Sequence, residues 1–150
     1  LSWDDLRALR KIWPHKLIVK GMLDAHDAAE AVNHGADGID VSNHGGRNLD
    51  GIISPMEVLP EIVDAVGKRA TVFADSGFRR GSDVVKALAL GADFVFCGRA
   101  PLYGASVGGE AGVSRALELL HSETDRVMAL IGCNSVGALS RRFLKMPDSA

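Results

Sequence analysis

Four short apolar runs constrain this chain more than any other feature: Leu17–Lys20, Gly38–Asn43, Thr71–Ser76 and Phe94–Arg99. Each has the length and composition of a buried strand, and each ends in polar residues. Helical patterns fill the gaps. Asp24 can cap a helix running through Ala28, Ala29 and Val32 to Gly35, and Ser82 or Asp83 can open another through Val84, Val85 and Leu88 to Gly91. Between these, Ser54-Pro55-Met56-Glu57 reads as a capping box with proline at the first helical position, and Gly67 stops that helix.

The alternation of strand and helix predicts an α/β fold with a parallel sheet. A weak internal repeat supports it, since Gly35-Ala36-Asp37-Gly38 and Gly91-Ala92-Asp93-Phe94 both join a helix end to an apolar run. An open doubly wound sheet and a closed (β/α)8 barrel both alternate in this way. The collection of polar residues at the carboxyl end of all four runs favours the barrel, whose active face lies there. Four units make half of a barrel that typically needs about 250 residues, so a second half is expected. Residues 1–145 are read as the half-barrel and 146–150 as a tail.

Flanking segments complete the expectation. Ser2–Trp13, with Leu6 and Leu9 on one face and Pro14 after it, reads as the helix before the first strand. From Glu110 onward the chain reads as helical again, with Leu117, Leu120, Val127, Leu130 and Ile131 covering the barrel. Gly104–Gly112 lacks a dinucleotide-binding arrangement and reads as a flexible approach to those helices. Trp3 and Trp13 are expected to pack the first helix.

Composition narrows the function. With 17 basic and 19 acidic residues, formal charge −2, the chain has no basic field for nucleic acid or an anionic lipid surface. Any phosphate must be held locally. No apolar stretch reaches the ~18 residues of a membrane span, and Leu1–Asp5 lacks the pattern of a signal peptide. The absence of an initial methionine suggests residues upstream. Cys97 and Cys133 lie far apart without metal-ligand spacing, which fits a reduced, metal-free cytoplasmic setting, and His15, His26, His34 and His121 show no ligand spacing.

The loop Ser42-Asn43-His44-Gly45-Gly46-Arg47 carries the most chemistry. Its glycines let the chain turn sharply, so His44 and Arg47 can face one pocket. Histidine accepts a proton near neutrality, and arginine grips a carboxylate through two parallel hydrogen bonds. Read without context, the same residues describe a solvated glycine-rich loop equally well. Lys20, likewise, is a lysine that could simply reach from a strand end to solvent.

This loop, with Leu49-Asp50 after it, resembles the signature of the FMN-dependent α-hydroxy acid dehydrogenase and oxidase family. The resemblance extends through Leu17–Gly21, Asp75–Gly81 and Leu90–Asp93 to Gly98-Arg99, almost the whole chain. It implies the carboxyl-terminal half, strands five to eight, of a (β/α)8 barrel that binds FMN. By the resemblance, His44 is the catalytic base, Arg47 binds the substrate carboxylate, Lys20 contacts the flavin, Ser42 lines the flavin side and Asp75 bonds the ribityl chain.

Gly77 with Arg79, and Gly98 with Arg99, follow what would be strands seven and eight, where barrels often bind phosphate. Free backbone amides and two guanidinium groups suit the FMN phosphate, although either arginine alone is as readily explained by surface pairing.

The resemblance also implies an amino-terminal half of the same barrel as partner, supplying a second substrate arginine, an aspartate beside the catalytic histidine and one or more tyrosines. The join between halves is expected at the long loop after the fourth barrel strand. The implied reaction oxidises a small 2-hydroxy acid, either by hydride transfer or through a carbanion. Oxygen, a quinone or a cytochrome serves as electron acceptor, and the assembly is a homo-oligomer. Asp75–Asp83 and Ser54–Leu59 look most like the bacterial mandelate-oxidising branch, so an aromatic (S)-2-hydroxy acid is expected, with L-lactate or glycolate as the alternative. Members with a membrane-attaching insertion make attachment through a segment outside this chain a further expectation. A noncatalytic FMN- or phosphate-binding half-barrel, and an FMN barrel for a phosphorylated substrate, are the readings of other kinds.

Overall fold

The computed structural model describes residues 2–146. Its helices are α1 (Trp3–Ile12), α2 (Ala25–Asn33), α3 (Pro55–Val66), α4 (Gly81–Leu90) and α5 (Arg99–Leu130), and its strands are β1 (Ile18–Met22), β2 (Gly38–Val41), β3 (Thr71–Ala74) and β4 (Phe94–Val95). The strands form one parallel sheet in the order β1-β2-β3-β4. A doubly wound sheet reverses its order at a switch point, whereas a barrel adds each strand beside the last. The sequential order therefore makes this four-stranded unit half of a (β/α)8 barrel.

Pairing register sorts the side chains. Val19, Ile39 and Val72 are in register and face the helices, while Lys20, Asp40 and Phe73 are in register on the opposite face, which corresponds to the barrel interior. The core lies between sheet and helices, where Ile39, Val41, Val72 and Ala74 meet Leu59, Ile62, Val66 and Ala87. The interior face is uncovered: Ile18, Phe94 and Phe96 are 45%, 54% and 42% exposed.

The repeated Gly-Ala-Asp turns do the same work twice. Gly35 and Gly91 adopt φ of +98° and +114°, ending α2 and α4 in the left-handed region that glycine tolerates. Ala36 and Ala92 then enter the core. Asp37 exchanges its backbone N–H and carboxylate with Leu17 of the preceding strand's start, and Asp93 does so with Val72. Each aspartate thus ties the beginning of one strand to its neighbour.

Local capping follows the expected residues with some corrections. Asp24 accepts from Asp27 N–H at 3.0 Å, and Ser54 accepts from Met56 N–H at 3.3 Å, so α3 has its serine cap but no box with Glu57. Helix α4 starts at Gly81, ahead of Ser82, because distant Glu123 accepts from Gly81 N–H at 2.9 Å while Asp83 accepts from the amides of Arg79 and Arg80. Strand β4 is shorter than the run Phe94–Arg99, since it pairs only with β3.

The largest correction concerns Gly104–Gly112, which is helical instead of flexible. Helix α5 begins at Arg99, breaks at Gly108 and Gly109, and folds back so that a Cβ on Gly104 would lie 2.3 Å from the Gly112 carbonyl oxygen. These glycines permit close backbone approach. Beyond the break, Leu120 and Val127 are partly covered and Met128 is buried, but Leu117, Leu130 and Ile131 stay exposed, so this face does not cover the sheet as expected. Trp3 stacks on His34, with ring centroids 5.5 Å apart. Leu9 is exposed, and Trp13 packs the following turn, its indole N–H donating to Lys16 O at 2.9 Å. Of the expected tail, residues 147–150 lie outside the described residues.

Two expectations about stability follow. The amide of Leu17, then Lys16 and Arg10, hold the Asp37 carboxyl down to about 2. Its ionised form favours the folded state above the unfolded aspartate's value of about 3.9, and this contribution fades as pH falls through that window toward about 2. Asp37→Asn in the full-length protein should lower the melting temperature at neutral pH and flatten its decline below about pH 4; a thermal melt series that keeps the wild-type acid slope contradicts this. Gly81→Ala would place a Cβ 2.3 Å from Thr124 N. Overpacking against backbone should cost about 1–3 kcal/mol in urea unfolding.

Candidate active site

The carboxyl ends of the strands bring together all nine residues singled out from the sequence. Lys20, at the end of β1, donates to Asp40 Oδ2 at 2.7 Å and to Ser42 Oγ at 3.0 Å, and pairs closely with Asp75. Burial works against ionising Asp75, but hydrogen bonds from Lys20, Ser42 and Ser76 outweigh it and hold its carboxyl below the usual range. Burial likewise opposes the charge on Lys20, yet the two carboxylates win and raise its ammonium above the ordinary value.

Asp40 was not foreseen. It is 3% exposed, and its Oδ1 has no hydrogen-bond partner among the described residues. Burial pushes its carboxyl up, Lys20 opposes this, and the negative charge of Asp75 adds to the rise. A charged residue between Ile39 and Val41 in an apolar run was the available signal, because buried charge requires a partner.

The loop after β2 is held in an unusual backbone path. His44, Gly45 and Gly46 all have positive φ, at 55°, 71° and 73°. Its amides are satisfied internally: His44 N–H donates to Ser42 Oγ at 3.1 Å, Gly46 N–H to Asn43 Oδ1 at 3.2 Å, and both Asn43 and Gly45 N–H to Ser76 Oγ at 3.2 and 3.0 Å. Ser76 also donates to Asp75 Oδ1 at 2.7 Å and itself has φ +82°. It is a second unforeseen residue, joining the histidine loop to Asp75. Gly21 is a third. It forms a bulge in β1, and a Cβ there would sit 3.1 Å from His44 Nε2.

A cavity of about 790 Å³ opens beside this loop, lined by His44, Arg47, Gly77, Arg79, Gly98 and Arg99 among others. Among the described residues, the guanidinium groups of Arg47, Arg79 and Arg99 have no ion-pair partner, so the surface-pairing explanation of the arginines does not apply. Arg99 instead lies against Gly45, where a Cβ would be 2.9 Å from its Nη2. Arg99 is also the first residue of α5, so the helix's partial positive charge adds to the arginines. Gly77 and Gly98 leave open space at their Cα atoms. Barrels often bind phosphate at the loops after strands seven and eight beside a helix N-terminus, and Gly77, Arg79, Gly98 and Arg99 lie in the corresponding places here.

Other features carry less. Cys97 borders the cavity, but burial, reinforced by Asp83, raises its thiol and makes it a poor nucleophile. Asp24, His26 and Asp27 cluster on the exposed start of α2, where Asp24 already acts as cap. A hollow of about 840 Å³ lies at the opposite end of the strands, but its carboxylates Asp37 and Asp93 tie strands together and Asp64 binds Arg141.

Fold and site together define part of a (β/α)8-barrel protein whose strand-end face presents unpaired arginines and a histidine on a constrained loop. Comparison with known proteins agrees. Residues 1–146 match the family described as FMN-dependent dehydrogenase. The chain is 56% identical to (S)-mandelate dehydrogenase of Pseudomonas putida, over 96% of this chain and 36% of that protein. It is 51% identical to L-lactate oxidase of a Nostoc species, over 97% of this chain and 40% of that protein. A crystal structure of the monotopic membrane protein (S)-mandelate dehydrogenase superposes with a TM-score of 0.94 at 54% identity, covering 97% of this chain and 38% of the other. The chain belongs to the FMN-dependent dehydrogenase family. It spans about two fifths of the length of these relatives.

The network around Ser76 yields a test. Ser76→Ala and Ser76→Gly both remove the acceptor for two amides, which should cost about 1–3 kcal/mol in urea unfolding of the full-length protein. Alanine also retains the left-handed strain, so Ser76→Ala should be less stable than Ser76→Gly by about 1 kcal/mol. Equal stability of the two variants contradicts the strain assignment.

Proposed function

We propose that the full-length protein oxidises an (S)-2-hydroxy acid, with mandelate the favoured substrate, to the 2-oxo acid using FMN. The observation that carries this reading is the placement of a constrained histidine and three unpaired arginines around one cavity, beside a lysine held by two aspartates. The residues present fit FMN: Arg79, Arg99 and the amides near Gly77 and Gly98 would hold its phosphate, Asp75 its ribityl chain, and Lys20 and Ser42 its ring. When bound, FMN takes up the two electrons of the oxidation.

Arg47 would grip the substrate carboxylate through its planar fork, fixing the 2-hydroxyl carbon near His44. His44 is the group that accepts the substrate proton. Its loop amides are bonded to Ser42, Asn43 and Ser76, so the ring is carried on a preorganised support. Gly21 leaves the room that the imidazole occupies.

The remaining half of the barrel is proposed to close over the uncovered interior face. No helix of the described residues is long and apolar enough to cross a membrane. We place the protein in the cytoplasm, with any membrane attachment made by residues outside this segment.

Anaerobic mixing of the FMN-loaded full-length protein with (S)-mandelate and with L-lactate tests the reading through loss of oxidised-flavin absorbance. Rapid bleaching by mandelate is expected, slowed by about 10²–10⁴-fold in His44→Ala. Arg47→Lys keeps the charge but loses the fork, and should raise the mandelate concentration for half-maximal bleaching by about tenfold or more. Bleaching by lactate alone moves the substrate to the small 2-hydroxy acids, and bleaching by neither refutes the function.

A further inference from the structure

Lys20 has three N–H donors, and Asp40, Ser42 and Asp75 engage them all. Its two carboxylate partners are unequal. Asp75 is a strand-end residue whose other oxygen is tied to Ser76, and its side chain is 21% exposed. Asp40 sits within β2, its side chain is 4% exposed, and it has no second partner among the described residues.

We propose that Asp40 is a positioning residue for FMN chemistry: it anchors Lys20 to the sheet and offsets the lysine's charge, lowering the affinity of the bound flavin for electrons. This rests on the FMN reading above. For Lys20 to donate to a flavin ring it must release a present partner. Asp75 lines the cavity and Ser42 is an uncharged hydroxyl that His44 N–H also engages, so either can be released, whereas releasing Asp40 would strand a carboxylate inside the sheet. Lys20 therefore turns toward the flavin while still tethered by Asp40.

The charge balance gives the sign. The titratable groups facing Asp40 are Lys20 from β1, Asp75 from the end of β3 and His44 from the loop after β2. In the pairing the geometry shows, two carboxylates face one ammonium, so the cluster of Lys20, Asp40 and Asp75 carries net charge −1. Neutralising Asp40 brings it to zero, and a more positive neighbourhood favours the reduced flavin, which gains negative charge. Burial opposes the charge on Lys20 but the two carboxylates raise its ammonium above the ordinary value, and Asp75 still pairs with it when Asp40 is neutralised.

The test is a redox titration of FMN bound to the full-length protein at about pH 8, well on the alkaline side because burial pushes the Asp40 carboxyl up. Wild type is compared with Asp40→Asn, Asp40→Val, Lys20→Met and the Lys20→Met/Asp40→Asn double variant. Both Asp40 variants should favour two-electron reduction by at least about tenfold, a rise near 30 mV. In the Lys20→Met background, Asp40→Asn should change little, because a buried carboxyl without its cation keeps a proton and carries no charge to remove.

An unchanged potential in either Asp40 variant with FMN bound overturns the proposal, as does an equal shift with and without Lys20. Failure of both Asp40 variants to fold or to retain FMN also overturns it, by making Asp40 a structural requirement. Failure of the wild type to bind FMN sinks the functional reading itself and is seen before any variant is compared.

Discussion

The alternation of side chains across a parallel sheet is the constraint on which the rest of the structure depends. Ile39 and Val41 are buried against the helices, so Asp40 and Ser42 must face the barrel interior. The same parity puts Val19, Val72 and Ala74 in the core and directs Lys20, Phe73 and Asp75 inward. A slip of one residue in β2 would drive Asp40 among apolar side chains of α2 and α3 and carry Ile39 away from them. Burying the core and assembling the charge cluster are therefore one event. Asp37 and Asp93 protect that register by tying adjacent strand starts together at the far end of the sheet.

This coupling explains what was legible in the sequence. Strands and most helices were readable because their signals are local: apolar runs for β2 and β3, Asp24 and Ser54 for caps, Gly35 and Gly91 for ends. The start of α4 was displaced because Glu123, 42 residues from Gly81, completes its terminus. The Gly104–Gly112 contact was missed because glycine marks both flexibility and close packing, and only the fold distinguishes them. In the site, His44 and Arg47 stood out through residue chemistry and glycine spacing. Ser76 and Gly21 did not, since their importance lies in backbone shape and in contacts with a loop from another strand. Asp40 carried a readable warning as a charge inside an apolar run.

The site separates two electrostatic tasks. Arg47, Arg79 and Arg99 lie at the exposed rim, each without an ion-pair partner among the described residues, so their charge is available to incoming anions. Lys20, at the end of β1, is instead compensated by Asp40 and Asp75. Unpaired guanidinium groups can bind phosphate or carboxylate through forked hydrogen bonds, whereas the ammonium of Lys20 is already engaged by two carboxylates. A formal charge of −2 for the whole chain conceals this division.

The interior face shows why such a site calls for more chain than this half supplies. Phe73, Phe94 and Phe96 form a connected aromatic group, with Phe73 and Phe96 stacked at 5.3 Å, yet Phe94 and Phe96 remain largely exposed. Outer edges of β1 and β4 have no strand beside them among the described residues, leaving backbone groups without ladder partners. Adding parallel strands at both edges would pair those groups and cover the aromatic layer in one step. The same enclosure would lower the dielectric around Lys20, Asp40 and Asp75. Each charge in that cluster would then act more strongly on a bound group than it can on an open sheet, so closing the barrel and tuning the site are physically inseparable.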